Sequence, residues 1–287
     1  MTTGKRRSSR RLTASHQRSW LWGRHAVLET LRAGRWPIDE LLVDEELPPD
    51  NIVEIGQLAE PLSVFPQLVT LERLTQLCQT DEHQGFLARM GEFPYEDLNA
   101  LGNAARSTLL PVSSGETPQN PANASPLFLI CDSIQDAHNF GAILRCCDAV
   151  RADGVIIGER SQALVTPHVA RASSGAANHQ HIFRVPELTA AVQILKDAQF
   201  QIVAATEKSD AILWTADLSG PTAFIVGSEA FGIATELLEI CDSRVSIPML
   251  GQVDSLNAAV AAGIVLYECR RQQMRACPHK QFKSPRE

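Results

Sequence analysis

Between Pro221 and Glu268 the chain reads PTAFIVGSEAFGIATELLEICDSRVSIPMLGQVDSLNAAVAAGIVLYE. Two apolar runs with strand character, AFIVG and VSIPM, each end in a turn of small or polar residues. The first turn is Gly227-Ser228-Glu229-Ala230-Phe231-Gly232. The second is Leu250-Gly251-Gln252-Val253-Asp254-Ser255. A helix of small apolar residues closes the stretch. Glycine-containing turns at the ends of buried strands are where α/β proteins place ligands.

The chain before this stretch extends the same pattern. Over residues 126–277 the apolar runs predict strands at Leu127–Cys131, Gly154–Ile157, Ile182–Val185, Gln201–Ala204, Phe224–Val226 and Val245–Ile247, with a further short one at 212–214. Helices are predicted at Asn139–Val150, Leu188–Ala198 and Asn257–Gln273, and a short one opens at Thr166-Pro167. This alternation predicts an α/β domain with a mainly parallel sheet and helices on both faces. Residues 19–92 read as a smaller α/β unit. A helix is expected over 24–32, a strand over 38–43 and a helix capped by Asp50 that runs to Ala59. A strand over 62–65, a helix opened by Thr70 with Leu71, Leu74 and Leu77 on one face, and a strand over 86–90 complete it. Residues 93–125 carry Pro94, Pro111, Pro118 and Pro121 and read as a linker that starts with a helical stretch and contains the flexible tract SSGETPQNPANAS.

The first 18 residues carry Lys5, Arg6, Arg7, Arg10, Arg11 and Arg18 among Ser and Thr, the pattern of a disordered basic tail. Residues 278–287 read as a second tail. The whole chain of 287 residues is nevertheless acidic, with a net charge of −7 and a pI near 5.6, which argues against a general nucleic-acid coat. The seven cysteines form no C-x-x-C pair and sit mostly in apolar segments, as in a reduced cytoplasmic protein, and no metal site is expected. No apolar segment follows the basic start, and the run from Leu256 to Tyr267 is too short to span a bilayer. A soluble, cytoplasmic protein with no membrane partner is expected.

The first strand of the large domain is followed by DSIQDAHNFGAILR, with no G-x-G-x-x-G, and no G-K-[ST] or G-x-S-x-G occurs. Ordinary dinucleotide folds, P-loops and α/β-hydrolases are therefore disfavoured. Three clusters remain at strand ends: Asn139 to Arg145, Gly227 to Gly232, and Ile247 to Gly251 with Asp254 to Asn257. Each has an ordinary local reading. Asn139 and Asn257 could cap helices, and Glu229 could be a solvated turn residue.

In this order and spacing the clusters resemble the three motifs of the SpoU group of SPOUT RNA methyltransferases, and SSGA at 173–176 resembles a fourth. The resemblance covers most of residues 126–272. GRHAVLETL at 23–31 and HQGFLA at 83–88 are similar to the group's substrate-binding domain, related in fold to ribosomal protein L30e. The resemblance implies a deep trefoil knot in the C-terminal domain, which periodicity cannot reveal and which runs against the usual topology rules. It implies S-adenosyl-L-methionine as cofactor, met by Gly227, Ile247 and Leu256, with Ser228, Met249 and Gly251 in the same loops. It implies that Arg145 acts at the target hydroxyl, and that Asn139, Glu229, Ser255 and Asn257 orient it, the ribose and the loops. A guanidinium is rarely a base, so Arg145 is read as binding the adjacent phosphate and stabilising alkoxide charge. Arg24, Arg32, Arg35, Arg145, Arg151 and Arg171 are candidate RNA contacts.

The implied activity is methylation of a ribose 2′-hydroxyl in structured RNA, with a guanosine of 23S rRNA favoured by the separate N-terminal domain. A tRNA 2′-O-methyltransferase and a non-catalytic RNA-binding assembly factor are the alternatives. A homodimer packed through the knotted domain is implied as well. One departure stands out: Ala230 occupies a position where the group usually has glycine. If that position requires positive φ, alanine costs about 1 kcal/mol or more.

Overall fold

The computed structural model describes residues 20–109 and 125–276. Both tails and all but the last residue of the SSGETPQNPANAS tract lie outside the described residues. In chain order the elements are β1 (Trp20–Trp22), α1 (Arg24–Ala33), β2 (Ile38–Asp44), α2 (Pro49–Ala59), β3 (Pro66–Val69), α3 (Leu71–Cys78), β4 (Phe86–Met90) and α4 (Leu98–Ser107). Then follow β5 (Leu127–Asp132), α5 (Ala137–Ala149), β6 (Gly154–Gly158), α6 (Pro167–Ala172), β7 (Ile182–Val185), α7 (Leu188–Asp197), β8 (Gln201–Ala205), β9 (Thr222–Gly227), α8 (Thr235–Ile240), β10 (Ser243–Val245) and α9 (Ala258–Ala276). Two compact units result. The first runs to Pro94 and also takes in Leu164–His179; the second holds the rest. No described helix is long and apolar enough to cross a membrane.

Unit 1 is built on a four-stranded sheet of order β1-β4-β2-β3, antiparallel except for the β2–β3 pair. Trp20, Leu42, Leu74, Cys78 and Leu87 pack together on it. Segment 164–179 joins this unit through Asn178, whose Nδ2 donates to Thr30 Oγ1 at 3.1 Å, and through His179, 2.9 Å from Glu29. The sequence expectation placed that segment in the C-terminal domain; Thr30 sits buried inside α1 and offers no sign in sequence of a partner 148 residues away. Arg24 and Arg32 both pair with Glu54, at 2.7 and 2.8 Å.

In unit 1 three local expectations differ from what is found, and in unit 2 the short strand expected at 212–214 is instead a 3-10 turn over Leu213–Thr215. The strand expected over 62–65 begins instead at Pro66. Pro61 is the second residue of a 3-10 turn over Glu60–Leu62, and Ser63 ends it with φ 57°. Asp50 is inside the first turn of α2 rather than its cap, because Pro49 takes the first helical position. Leu71 points outward, 51 % exposed, while Leu74 and Cys78 form the buried stripe of α3.

The His83-Gln84-Gly85 turn has a separate structural reason for each residue. His83 is buried, and its Nδ1 accepts the Gly85 N–H at 3.1 Å. The neutral ring then carries its proton on Nε2, which lies 3.0 Å from Thr75 Oγ1. Gln84 Oε1 accepts the Arg24 N–H at 3.0 Å and so caps α1, whose N-cap Gly23 has no side chain to do it. Gly85 adopts φ 80°, and a Cβ there would come within 3.0 Å of Leu47.

Unit 2 carries a six-stranded sheet of order β10-β8-β9-β5-β6-β7 in which every pairing is parallel. β5 is buried along its whole length, as a central strand covered on both faces must be. Phe128 and Ile130 face a core shared with α4, α7 and α8. Leu129 and Cys131 alternate to the opposite face, on the side of α5 and α9. Gly154 lies beneath two rings: a Cβ there would reach within 2.6 Å of Phe183 and 2.9 Å of Phe128.

Part of the stretch read as a linker belongs to this core. Leu101 and Ala105 of α4 are buried in it, and the Glu96 backbone bonds to Ile182 and Arg184 beside β7. On the other face Arg270 of α9 is buried, with its guanidinium filled by acceptors. It donates to the carbonyls of Val150, Arg151 and Ser125 at 2.9, 2.7 and 3.0 Å and to Gln273 Oε1 at 2.7 Å. A cation at the carboxyl end of α5 also suits the helix dipole.

Burial holds the His83 imidazole below its ordinary pKa of 6.5. The unfolded chain therefore takes up this proton first, and protonation of Nδ1 would displace the Gly85 N–H. Stability from this group is complete above pH 6.5 and is lost as pH falls through the lower folded value, by at most about 1.4 kcal/mol per pH unit. Urea titrations at pH 8 and pH 5.5 should show the wild type losing more stability on acidification than His83→Gln. Equal losses would contradict this account of the turn.

Candidate active site

β5 and β9 are neighbours in register, with Asp132 beside Gly227, so the turns leaving them meet. The β9 turn folds back tightly. A Cβ on Gly227 would run into the Gly232 carbonyl and the Ile233 N–H, so glycine is required there by the chain's own return. Ser228 closes the turn: its carbonyl accepts the Gly232 N–H at 2.9 Å and its Oγ accepts the Phe231 N–H at 3.2 Å. Positive φ falls on Gly232, at 68°, and not on Ala230. The alanine at 230 therefore carries no left-handed strain. Sequence reasoning passed over Asp132, which anchors this turn from below. It is buried, and its Oδ2 accepts the Ala234 N–H at 2.7 Å while its Oδ1 accepts the Ser133 hydroxyl at 3.0 Å. Its signal was a lone acid ending the otherwise apolar strand LFLICD.

Three of the expected site residues come together. Asn139 Nδ2 donates to Glu229 Oε1 at 3.1 Å. Asn257 Nδ2 donates to the same oxygen at 2.6 Å and to Asn139 Oδ1 at 2.9 Å. Glu229 Oε1 also accepts the Ala258 N–H at 3.1 Å, and Asn257 Oδ1 accepts the N–H groups of Ala259 and Val260 at 3.0 and 3.3 Å. The Ala261 N–H bonds to the Asn257 carbonyl at 2.9 Å. At α9 the N–H groups of the first three residues thus all find side-chain acceptors, and that of Ala261 makes the first bond within the helix. Asn257 is a helix cap and a member of the cluster at once. Asn139 is not a cap, since Asp136 fills that role by accepting the Asn139 N–H at 2.8 Å. Glu229 is an exposed turn residue and also the hub of the cluster.

The cluster borders a cleft of about 160 Å³ that is also lined by Ser133, Asp136 and Phe231. Arg145 lies on the exposed side of α5, roughly 9 Å further along the axis than Asn139 and about 120° around it. Of the second turn, Ile247 and Met249 are half-buried beyond the end of β10, which stops at Val245 instead of reaching Ile247. Leu256 is half-buried and Ser255 exposed. Gly251 lies in open space, where a Cβ would meet nothing within 4 Å. Phe231, Leu250 and Val253 are 81, 98 and 65 % exposed.

Thiol chemistry finds no support here. Burial pushes the thiols of Cys131, Cys146 and Cys147 up, and that of Cys269 up to about 12, so none is an activated nucleophile. Among the described residues no three His, Cys, Asp or Glu side chains are grouped to hold a metal.

Known proteins share both the sequence and the fold. The profile of the SpoU rRNA methylase family matches residues 126–267, and that of the RNA 2′-O ribose methyltransferase substrate-binding domain matches residues 20–96. A Bacillus subtilis protein named as a TrmH family tRNA/rRNA methyltransferase, YacO, is 32 % identical over 259 residues, which is 90 % of this chain and 98 % of that protein. The chain belongs to the SpoU family of RNA methyltransferases. A Staphylococcus saprophyticus relative with the same family name is 33 % identical over 88 % of this chain and 94 % of its own. A solved RNA 2′-O ribose methyltransferase superposes with a TM-score of 0.64 at 27 % identity, covering 95 % of this chain and 98 % of that one. AviRb from Streptomyces viridochromogenes, crystallised with S-adenosylmethionine, shares the fold with a TM-score of 0.70 at 23 % identity and 95 % of each chain covered.

Methyl transfer from S-adenosylmethionine is the chemistry of this family, and the two turns suit such a molecule. They offer backbone groups, half-buried apolar side chains and a glycine with open space beside it. If Glu229 ties these turns together, Glu229→Ala should lower stability by about 1–2 kcal/mol through the lost cap. It should also weaken S-adenosylmethionine binding roughly tenfold, about 1.4 kcal/mol. Calorimetric titration and urea denaturation of the same variant test both; unchanged cofactor affinity would remove Glu229 from the site.

Proposed function

We propose that this chain methylates a ribose 2′-hydroxyl in ribosomal RNA, with a guanosine of 23S rRNA as the target. The observation that carries the reading is the Asn139–Glu229–Asn257 cluster, which fastens both turns to the starts of two helices. The rRNA assignment is supported by the family description matched over 126–267 and by a separate substrate-binding unit. Such an enzyme would work in the cytoplasm, where its RNA is found.

In this reading Gly227, Ser228, Ile247, Met249, Gly251 and Leu256 hold the cofactor. S-adenosylmethionine supplies a methyl group already activated on a sulfonium. What remains for the protein is placement of the ribose for in-line attack. Arg145 binds the phosphate next to the target ribose and offsets the negative charge that grows on O2′ as its proton leaves. Asn139, Glu229 and Asn257 fix the turns, and Ser255 orients the second of them.

The reading includes a homodimer through the catalytic unit. Val260, Tyr267 and Met274 of α9 are 50, 57 and 38 % exposed. Their spacing of seven puts them on one helix face, the pattern of a helix-packing seam. Sedimentation equilibrium of Tyr267→Glu should then show monomer where the wild type is a dimer, and a dimeric variant would move the interface elsewhere.

The reaction is tested with labelled S-adenosylmethionine on unmodified rRNA and tRNA in parallel, mapping 2′-O sites by their resistance to alkali. Label in large-subunit rRNA is expected. Arg145→Ala should abolish transfer and bind the cofactor within about twofold of wild type, well under 1 kcal/mol. Label in tRNA alone would reassign the substrate, and cofactor binding without transfer to either RNA would favour a non-catalytic assembly factor.

A further inference from the structure

Unit 1 contains a cavity of about 410 Å³ that shares no residue with the candidate active site. The volume lies within the range of sites for small organic groups. One wall is a stack of two flat groups: the Arg171 guanidinium lies 4.1 Å from the centre of the Trp22 ring. Glu82, 3.3 Å from Arg171, holds the guanidinium in that position. A guanidinium layered on an aromatic ring is a platform on which a nucleobase stacks. Trp22 contributes a second feature, a buried indole N–H with no acceptor among the described residues.

The adjoining wall is of a different kind. α1 begins there at Gly23, which adopts φ 95° and has no side chain to cap the helix. Gln84 takes only the Arg24 N–H, and the residues that follow, His25 and Ala26, line the cavity. Amide groups at a helix start favour an anion, phosphate above all. A flat guanidinium–indole stack, its charge shared with Glu82 at the cavity wall, beside an anion-favouring turn matches the two ends of one nucleotide.

We infer that this cavity takes a single unpaired nucleotide of the RNA substrate, its base on the Arg171–Trp22 stack and its phosphate toward the start of α1. The inference rests on the RNA substrate proposed above and gives unit 1 its own point of recognition. It also separates Arg171 from Arg24 and Arg32, which share Glu54.

The test uses the full chain and a fluorescein-labelled RNA hexanucleotide of mixed sequence, single-stranded or as the duplex. Binding is read by anisotropy at fixed salt, so no turnover is needed. The single strand should bind better than the duplex. Arg171→Ala and Trp22→Ala should each weaken its binding about tenfold or more, the usual effect of removing a stacking partner. Arg171→Lys keeps the charge and loses the plane, so it should be as defective as Arg171→Ala, while Trp22→Phe should retain most of the affinity. S-adenosylmethionine affinity should stay at the wild-type value and each variant should keep a cooperative urea transition, which together show that both units are folded. Wild-type binding by Arg171→Lys, or equal binding of strand and duplex, would overturn the inference. Should the wild type methylate RNA while Arg171→Lys binds normally, the cavity fails and the proposed reaction stands. Should the variants lose the single strand while no RNA is methylated, the reaction fails and the cavity stands.

Discussion

One carboxylate oxygen, Oε1 of Glu229, accepts from Asn139, Asn257 and the Ala258 amide. Those donors belong to α5 and to the start of α9, so a single atom ties the turn after β9 to two helices. The arrangement explains why the residue types are what they are. Only an ionised carboxylate accepts several donors on one oxygen without needing to donate in return. A side-chain amide can receive at one end and give at the other, as Asn139 and Asn257 both do. The tight return of the chain over Gly227 depends on this anchoring from above and on Asp132 from below.

Much of this was legible in the sequence because buried parallel strands are nearly continuous apolar runs. β5, β6, β7 and β8 begin where such runs begin and end within a residue of where they stop. The three polar clusters were legible as strand-end turns, and their likeness to known motifs supplied the rest. Geometry at the level of single atoms was not legible. Gly227 was expected to meet a ligand, and the second reason for its glycine, the room it leaves for the chain's own carbonyl, had no sign in sequence. Ala230 looked like a costly departure until the positive φ proved to sit two residues later. Asp132 gave only the weak signal of an acid at the end of a strand.

Elsewhere local chemistry overrode periodicity. A proline within a 3-10 turn pushed β3 along the chain, and proline at the first position of α2 displaced the expected cap. Leu71 fits a helical stripe by spacing but lies at the exposed first turn of α3. The membership of Leu164–His179 in unit 1 depends on Thr30 and Glu29, whose own positions give no hint of it. Long-range pairings of this kind leave no local pattern for a sequence reader to find.

That inserted segment has a consequence for how the chain can be divided. The backbone passes from one unit to the other three times, after Pro94, after Ala163 and after His179. Unit 1 is therefore not a bead on a string that can be snipped off at one linker. Cutting after Pro94 would leave Leu164–His179 in the remaining fragment without Trp22, Glu29 and Thr30 to rest on. Units 1 and 2 are joined by three chain crossings rather than one, and trimming at Pro94 would have to keep the inserted stretch with unit 1.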